Sequence, residues 1–380
     1  MRTQWKGTDV TEAVQAIAAV VHQPMGPFEL RTIEVAAPGA GELRVAVKAV
    51  GICHTDLVFA TGMASMTLPA VFGHEGAGIV EAVGPGVEGF SVGDKVLLTF
   101  DSCGHCRRCA EGHPAYCQDF PMRNYAPVRP DGTTALSLAG EPLGGQFFGQ
   151  SSFASHAISR VGNTVKLSPD ADLAMLAPLG CGVQTGAGAV LRSHGAGPED
   201  VLVVIGGGAV GLSAVMGGKI AGCRTIILIE PRADRRVLGL SLGAHHAIDP
   251  AAGDTAEAVR AISPLGADHV IDTSGHGGAL QAGLQMLAPM GTLGLIGVPA
   301  QFDATLNLAI AQAITFGHRV MGIIEGDSVP ADFLPQLVNW ARSGALPVER
   351  MVTTYPFAEI NRAIHEAHKG GTVKPVLLFD

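Results

Sequence analysis

The sequence predicts an α/β protein of two domains, one β-rich and one built on a doubly wound parallel sheet, and three observations carry the prediction. The chain has 380 residues, of which 47% are hydrophobic and 16% charged, more than one compact core usually covers. Its first half reads as short β-rich runs between glycine and proline turns. After Cys181 the pattern changes to apolar strands in strict alternation with helical segments, which is the signature of a parallel sheet.

The β-rich part runs from about Ala16 to Phe100, with strands expected over Leu43–Val50 and Gly78–Val83. From Cys103 to about Gly149 there is little periodicity. Four of the seven cysteines crowd into this stretch, at Cys103, Cys106, Cys109 and Cys117, with the spacing C-x2-C-x2-C-x7-C. Such spacing lets short loops fold four thiolates into a tetrahedron around one Zn²⁺. A closed sulfur site has no open position for a substrate, so its task is to organise the lobe. Free thiols, a histidine ligand from His105 or His113, and an iron–sulfur cluster are the alternative readings of the same spacing.

After Cys181, strands are expected at Val201–Ile205, Thr225–Glu230, Asp268–Asp272 and Gly291–Val298, with helical segments at Val210–Ala221, Arg232–Leu242 and Ala279–Leu287. The first strand leads into Gly206-Gly207-Gly208-Ala209-Val210-Gly211, a G-x-G-x-x-G fingerprint at the start of a helix. In that context Gly206 permits the tight turn, Gly208 the approach of a pyrophosphate and Gly211 close helix packing. Glu230, 24 residues after Gly206, is placed to accept hydrogen bonds from ribose hydroxyls and to repel a 2′-phosphate. NAD is therefore expected, with NADP as second choice because Arg232, Arg235 and Arg236 follow closely. The tail carries helical segments near Phe333–Arg342 and Phe357–Lys369 and a strand at Val373–Phe379.

The net charge of −9 argues against nucleic acid and anionic membranes as partners, since both require a basic face. The N-terminus, Met1 to Val10, lacks a basic stretch followed by an apolar run, and no segment is apolar for the ~18 residues a span requires. The expectation is a cytoplasmic protein, where clustered cysteines read as metal ligands before disulfides. Cys223, between a helix and a strand, reads as ordinary packing.

A second set offers Cys53 and His74, 21 positions apart, and Cys181, over a hundred residues further on. Three ligands with an open position are the pattern of catalytic zinc, but a distant lone cysteine is as often a small apolar core residue. Taken in order, Gly51-Ile52-Cys53-His54-Thr55-Asp56, Gly73-His74-Glu75-Gly76, the four-cysteine lobe, Gly180-Cys181-Gly182-Val183-Gln184-Thr185-Gly186 and the glycine fingerprint resemble the zinc-containing medium-chain alcohol dehydrogenases over nearly the whole chain. Phe147-Phe148-Gly149-Gln150-Ser151-Ser152-Phe153-Ala154 and Glu325-Gly326-Asp327-Ser328-Val329-Pro330 look like their benzyl (aryl) alcohol branch, which includes enzymes for terpene alcohols.

The resemblance implies a GroES-like catalytic domain, residues 1–182 and 325–380 with a structural zinc lobe at 101–120, and a Rossmann domain over 183–324 that binds NAD. It implies two zinc ions per chain, the catalytic one held by Cys53, His74 and Cys181 with Glu75 as alternate ligand. Asp56 would orient His74, and Thr55 would hydrogen-bond the substrate oxygen and start the proton exit. His54, Lys374 and the fingerprint would meet the pyrophosphate, and Thr185 and Val210 the nicotinamide. Zinc as Lewis acid would lower the pKa of a small alcohol, oxidised reversibly to the aldehyde. Two departures stand out: Val58 replaces a histidine that passes the proton to solvent in many relatives, and Ala64 and Thr99 replace bulkier residues, which suggests a wider channel for aromatic or allylic alcohols. A homo-oligomer, dimer or tetramer, is expected through the sheet edge near Leu306–Ile324. A glutathione-dependent formaldehyde dehydrogenase and a non-catalytic zinc and dinucleotide binder are the rival readings.

Overall fold

A computed structural model describes residues 12–62, 66–301 and 303–380, so Ala64 lies outside the described residues. The chain forms two compact units, one of Met1–Cys181, Val329–Val338 and Val348–Asp380, the other of Gly182–Ser328 and Asn339–Pro347.

The first unit contains β1 (Val14–Val21), β2 (Glu29–Val35), β3 (Glu42–Gly51), β4 (Ala70–Val71), β5 (Glu75–Val83), β6 (Lys95–Leu98), β7 (Leu136–Leu138), β8 (Glu141–Leu143), β9 (His156–Arg160) and β10 (Thr164–Lys166). The second contains β11 (Val201–Ile205), β12 (Thr225–Ile229), β13 (His246–Ile248), β14 (Ala267–Asp272), β15 (Leu287–Leu295) and β16 (Arg319–Gly322), and the tail adds β17 (Val352–Pro356) and β18 (Lys374–Leu378). Among the described residues one sheet of the first unit runs β4-β1-β2-β7-β8, and the other runs β10-β6-β5-β3-β18-β17, with β9 also on β3. Strand β3 is nearly all buried because it is central, with β5, β9 and β18 drawing on it along its length. The tail strands thus complete the sheet that carries Cys53 and Glu75.

The expected all-β stretch is interrupted by a short helix, His54–Ala60. Asp56, at its third position, turns its carboxylate back onto the Cys53 N–H at 2.9 Å, which satisfies a donor that a strand would have left to a neighbour. Period-2 reading misses such a helix because two turns do not establish a 3.6-residue period.

The second unit is a parallel sheet of order β13-β12-β11-β14-β15-β16. The order reverses beside β11, which places the fingerprint at a topological switch point. The long helices Ala209–Ala221 and Ala233–Leu242 fall within a residue of expectation, whereas β15 starts at Leu287, where a helical segment was expected to end. Three further α-helices of this unit were not anticipated, the first being Gly182–Gly188 at its start. Thr255–Ile262 is started by Asp254, whose side chain accepts from the N–H groups of Ala256 and Glu257, and Ile310–Phe316 lies in the segment assigned to a sheet edge. Val203, Ile227, Val270 and Leu293 make the fully buried centre of the core. Among the described residues, no single helix is long and apolar enough to cross a membrane.

Ile227 on β12 is fully buried, so Ile227→Ala is expected to cost about 2–5 kcal/mol of the second unit's stability, measured by urea unfolding. A loss below about 1 kcal/mol would contradict the packing described.

Candidate active site and metal centres

Sheet register assembles the first cluster. Gly51 pairs with Glu75 on β5 and with Val376 on β18, so Ile52 and Cys53, just past β3, lie beside His74, Glu75 and Lys374. A Cβ at Gly51 would collide with the Glu75 carboxylate, so glycine here leaves that carboxylate its place in the cluster. Cys181 arrives by another route: the fully buried Thr99, past the end of β6, donates its hydroxyl to the Gly180 carbonyl at 2.7 Å. Thr99 thus acts on the backbone before Cys181, and the wider channel inferred from it has no exposed Thr99 surface in this unit to rest on.

Ligand atoms of Cys53, His74, Glu75 and Cys181 all lie within 4.8 Å of one another. Asp56 and His74 are both fully buried, and the Asp56 carboxylate meets His74 Nδ1 at 2.7 Å while also accepting from the Gly73 and Cys53 N–H groups. A carboxylate oxygen accepts, so the Nδ1 hydrogen is directed at Asp56 and Nε2 is the ring nitrogen that faces the cluster. That Nε2 atom is buried without a hydrogen-bond partner. Such an orphan next to two sulfurs suits a cation, and the donor set of two cysteines, a histidine and a carboxylate suits zinc.

Without an ion in the cluster, His74 and the Cys53 sulfur favour each other's charged forms, and a cation bound there would have to displace the imidazole proton. A hydrogen bond from Cys181 holds the Cys53 thiol well below its ordinary value, against burial and with help from the positive charge of His74 and Lys374. Burial opposes charge on His74, but Asp56 and Cys53 outweigh it and hold the imidazole well above its usual value. Lys374, only 2% exposed, donates to Glu75 Oε1 at 2.6 Å and to the Ile52 carbonyl at 3.0 Å. Burial pushes Glu75 up to about 7 in spite of Lys374, and Lys374, pulled down by burial but held by Glu75, stands at about 12. Thr55 Oγ1 lies 3.8 Å from the Cys53 sulfur, at the edge of the cluster. His54 is exposed and Val58 half-buried on the same short helix.

Cys103, Cys106, Cys109 and Cys117 form the second cluster, with ligand atoms again within 4.8 Å of one another. The Cys106 N–H donates to Cys103 Sγ at 3.2 Å and the Cys103 N–H to Cys117 Sγ at 3.3 Å, an arrangement that stabilises thiolates. Backbone hydrogen bonds bring Cys106 down to about 6, whereas burial pushes Cys117 up to about 12. Four thiols this close cannot all ionise by themselves, and a divalent cation removes the conflict. His105 turns its Nδ1 to the Cys103 carbonyl, 2.8 Å away, and the ligand set contains neither it nor His113. Cys223 is buried away from both clusters.

In the second unit a cavity of about 730 Å³ is lined by Gly206, Gly207, Gly208, Glu230, Thr273 and His276, among others. Gly206 has φ +102°, a Cβ on Gly211 would lie 1.8 Å from the Gly206 carbonyl oxygen, and a Cβ on Gly208 would meet nothing within 4 Å, which leaves space for a ligand. Glu230 accepts from the Gly207 N–H at 2.6 Å and from the Arg232 N–H at 2.8 Å, so its carboxylate is fixed at the cavity wall. The arginines near Glu230 are engaged: Arg232 with Asp234, Arg235 with the Gly207 carbonyl, and Arg236 with Asp249. Thr185 and Val210 sit on helices packed closely enough that a Cβ on Gly186 would fall 2.0 Å from the Val210 carbonyl oxygen.

Sequence reasoning gave no role to Gln150, Asn163 or Glu325, all buried polar residues. Gln184 donates to Glu325 Oε2 at 3.0 Å, and Thr185 reaches the same oxygen at 3.5 Å. Polar residues inside a phenylalanine-rich or glycine-rich run were the available signal. Removal of the Asp56 carboxylate in Asp56→Ala is expected to weaken metal binding at the first cluster by about 10–100-fold, read by competition with a chelating dye, with the four-cysteine site unchanged. Equal loss at both sites would contradict the positioning role.

Comparisons with known proteins identify the family of the chain. The family described as alcohol dehydrogenase GroES-like domain matches residues 39–169, and the zinc-binding dehydrogenase family matches residues 209–343. Geraniol dehydrogenase of Castellaniella defragrans is 43% identical over 373 residues, covering 98% of this chain and all of that protein. Class-3 alcohol dehydrogenase of Myxine glutinosa is 32% identical, with 96% and 98% covered. The crystal structure of benzyl alcohol dehydrogenase from Acinetobacter calcoaceticus matches with a TM-score of 0.94 at 37% identity, covering 97% of this chain and all of that one. The β-rich fold joined to a parallel-sheet unit, and the full-length relatives, give one conclusion: the chain belongs to the zinc-type medium-chain alcohol dehydrogenase family.

Proposed function

We propose that this alcohol dehydrogenase oxidises primary aromatic or allylic alcohols of the benzyl and terpene type, reversibly and with NAD. The observation that carries the reading is the buried cluster of Cys53, His74, Glu75 and Cys181 with its orphan imidazole nitrogen. In this reading Cys53, His74 and Cys181 hold a catalytic zinc with Glu75 as alternate ligand, and Cys103, Cys106, Cys109 and Cys117 hold a second, structural one. Zinc supplies a Lewis acid that acidifies the substrate hydroxyl, and NAD supplies the hydride acceptor. Support for the substrate class comes from the geraniol and benzyl alcohol dehydrogenases among the relatives.

The chain's own residues do the rest. Asp56 fixes the His74 ring and its tautomer through the 2.7 Å contact. Lys374 offsets the buried Glu75 charge at 2.6 Å and holds that carboxylate ready as an alternate ligand. Thr55, at the cluster's edge, takes the hydroxyl proton, and His54 on the exposed side of the same helix turn meets the pyrophosphate. Val58 cannot carry a proton onward, so water or the cofactor ribose completes the exit. The second unit's role is to bind NAD through Gly206, Gly208, Gly211, Glu230 and Arg235, with Thr185 and Val210 beside the nicotinamide. In domain terms, residues 1–182 and 325–380 are assigned to catalysis and 183–324 to the cofactor, while by packing 182, 325–328 and 339–347 group with the second unit. Homo-oligomerisation through the β16 edge is supported by the exposed Ile310 (71%) and Ile314 (77%) on the neighbouring helix. A cytoplasmic location fits thiols used as metal ligands.

In a substrate panel, benzyl alcohol and geraniol should exceed ethanol in kcat/KM by about tenfold or more, without any requirement for glutathione. Ethanol at or above benzyl alcohol, or dependence on glutathione, would overturn the substrate assignment. With Glu230 present NAD should be preferred over NADP by at least about tenfold, and Glu230→Ala should narrow that ratio. Turnover should depend on the concentration of buffer base, and Val58→His should reduce the dependence and change the pH profile. An identical pH profile for the variant would remove Val58 from the account.

A further inference from the structure

We propose that Gln150 and Phe148, in the Phe147–Ser152 segment, are positioning residues for the metal-ligand pair His74–Glu75, Gln150 by bracketing the backbone around Glu75 and Phe148 by stacking on the His74 ring. The inference rests on the reading of the Cys53, His74, Glu75 and Cys181 cluster as a metal centre.

The Gln150 carboxamide is 1% exposed and uses its full capacity. Nε2 donates to the His74 carbonyl at 2.9 Å and to the Thr99 carbonyl at 3.1 Å. Oε1 accepts from the Gly76 N–H at 3.1 Å and from the Ser152 hydroxyl at 2.9 Å. Glu75 lies between the His74 carbonyl and the Gly76 N–H, so one side chain holds the peptide groups on both sides of it. The same amide reaches Thr99, whose hydroxyl holds the Gly180 carbonyl next to Cys181. Three of the four ligands of the cluster are thereby tied to one buried amide.

Phe148 constrains the ring. Its centroid lies 4.3 Å from that of His74 with the planes 22° apart, and Phe147 meets the imidazole edge-on at 5.4 Å. Asp56 fixes the ring at Nδ1 and Phe148 fixes its plane, so Nε2 has one direction left to it. Phe148 adopts φ +50°, a left-handed conformation that a phenylalanine rarely takes. Asn163, fully buried, donates to the carbonyls of Phe148, Gly149 and Thr99, each at 3.2 Å, and holds that conformation in place. A ring meant only to fill space would not need so many fixed backbone groups behind it.

The test is metal release from the intact enzyme into excess 1,10-phenanthroline, followed as two phases, with the cobalt-substituted protein's visible spectrum as second readout. In Gln150→Met the fast phase, from the Cys53 cluster, should accelerate by about tenfold or more, with the four-cysteine phase unchanged and the cobalt bands altered. Phe148→Leu, which removes the stack and leaves the amide, should accelerate the same phase by about threefold or more and serves also if Gln150→Met fails to fold. Val270→Ala in the second unit supplies a destabilised control with the release rates of the wild type. Unchanged fast release and cobalt bands in the folded variants, or equal acceleration of both phases, would overturn the positioning role. A wild-type protein that releases a single metal ion would overturn the metal-centre reading and the inference with it.

Discussion

The contact between the Asp56 carboxylate and His74 Nδ1, 2.7 Å long and without solvent exposure on either side, is the constraint on which the active-site half of the molecule depends. A buried carboxylate is costly unless its oxygens are met, and this one meets the N–H groups of Gly73 and Cys53 as well as the imidazole. Through those bonds it ends β3, starts the helix at His54 and leaves His74 Nε2 facing the cluster with Cys53 and Cys181. The local fold and the geometry of the Cys53, His74, Glu75 and Cys181 cluster share one set of hydrogen bonds.

Two kinds of cysteine cluster follow from different solutions to the same problem. Cys103 to Cys117 lie within one loop, and their thiolates draw on backbone N–H groups of that loop, so closure needs only the metal. The Cys53, His74 and Cys181 set is drawn from the end of β3, the start of β5 and the break after the 3-10 turn Ala177–Gly180, and its geometry depends on sheet register and on Lys374, 299 residues from Glu75 in sequence. A site held by scaffold can keep a coordination position open, while a site that holds its own scaffold must close it.

This difference also decides what could be read in the sequence. The four-cysteine lobe and the glycine fingerprint were legible because their spacing is the geometry. Val201–Ile205 coincides with β11 because a buried parallel strand is a short continuous apolar run. Cys181 was ambiguous on its own terms because nothing local marks it as a ligand. The ion pair of Lys374 with Glu75 was hidden by sequence distance, and resemblance had placed Lys374 only at the pyrophosphate. Gln150 stood inside a quoted motif without a role, because its four partners come from His74, Gly76, Thr99 and Ser152, and only the fold brings them to it. The helix Thr255–Ile262 was missed although Asp254 offered a capping signal, since its eight residues make little more than two turns, too few to establish a 3.6-residue period.

The central claim is that the chain holds two zinc ions with different tasks, and diffraction data collected across the zinc absorption edge test it most directly. The account predicts two anomalous peaks per chain, one inside the tetrahedron of Cys103, Cys106, Cys109 and Cys117 and one against His74 Nε2 between Cys53 and Cys181. A single peak at the four cysteines in crystals grown with zinc would contradict it.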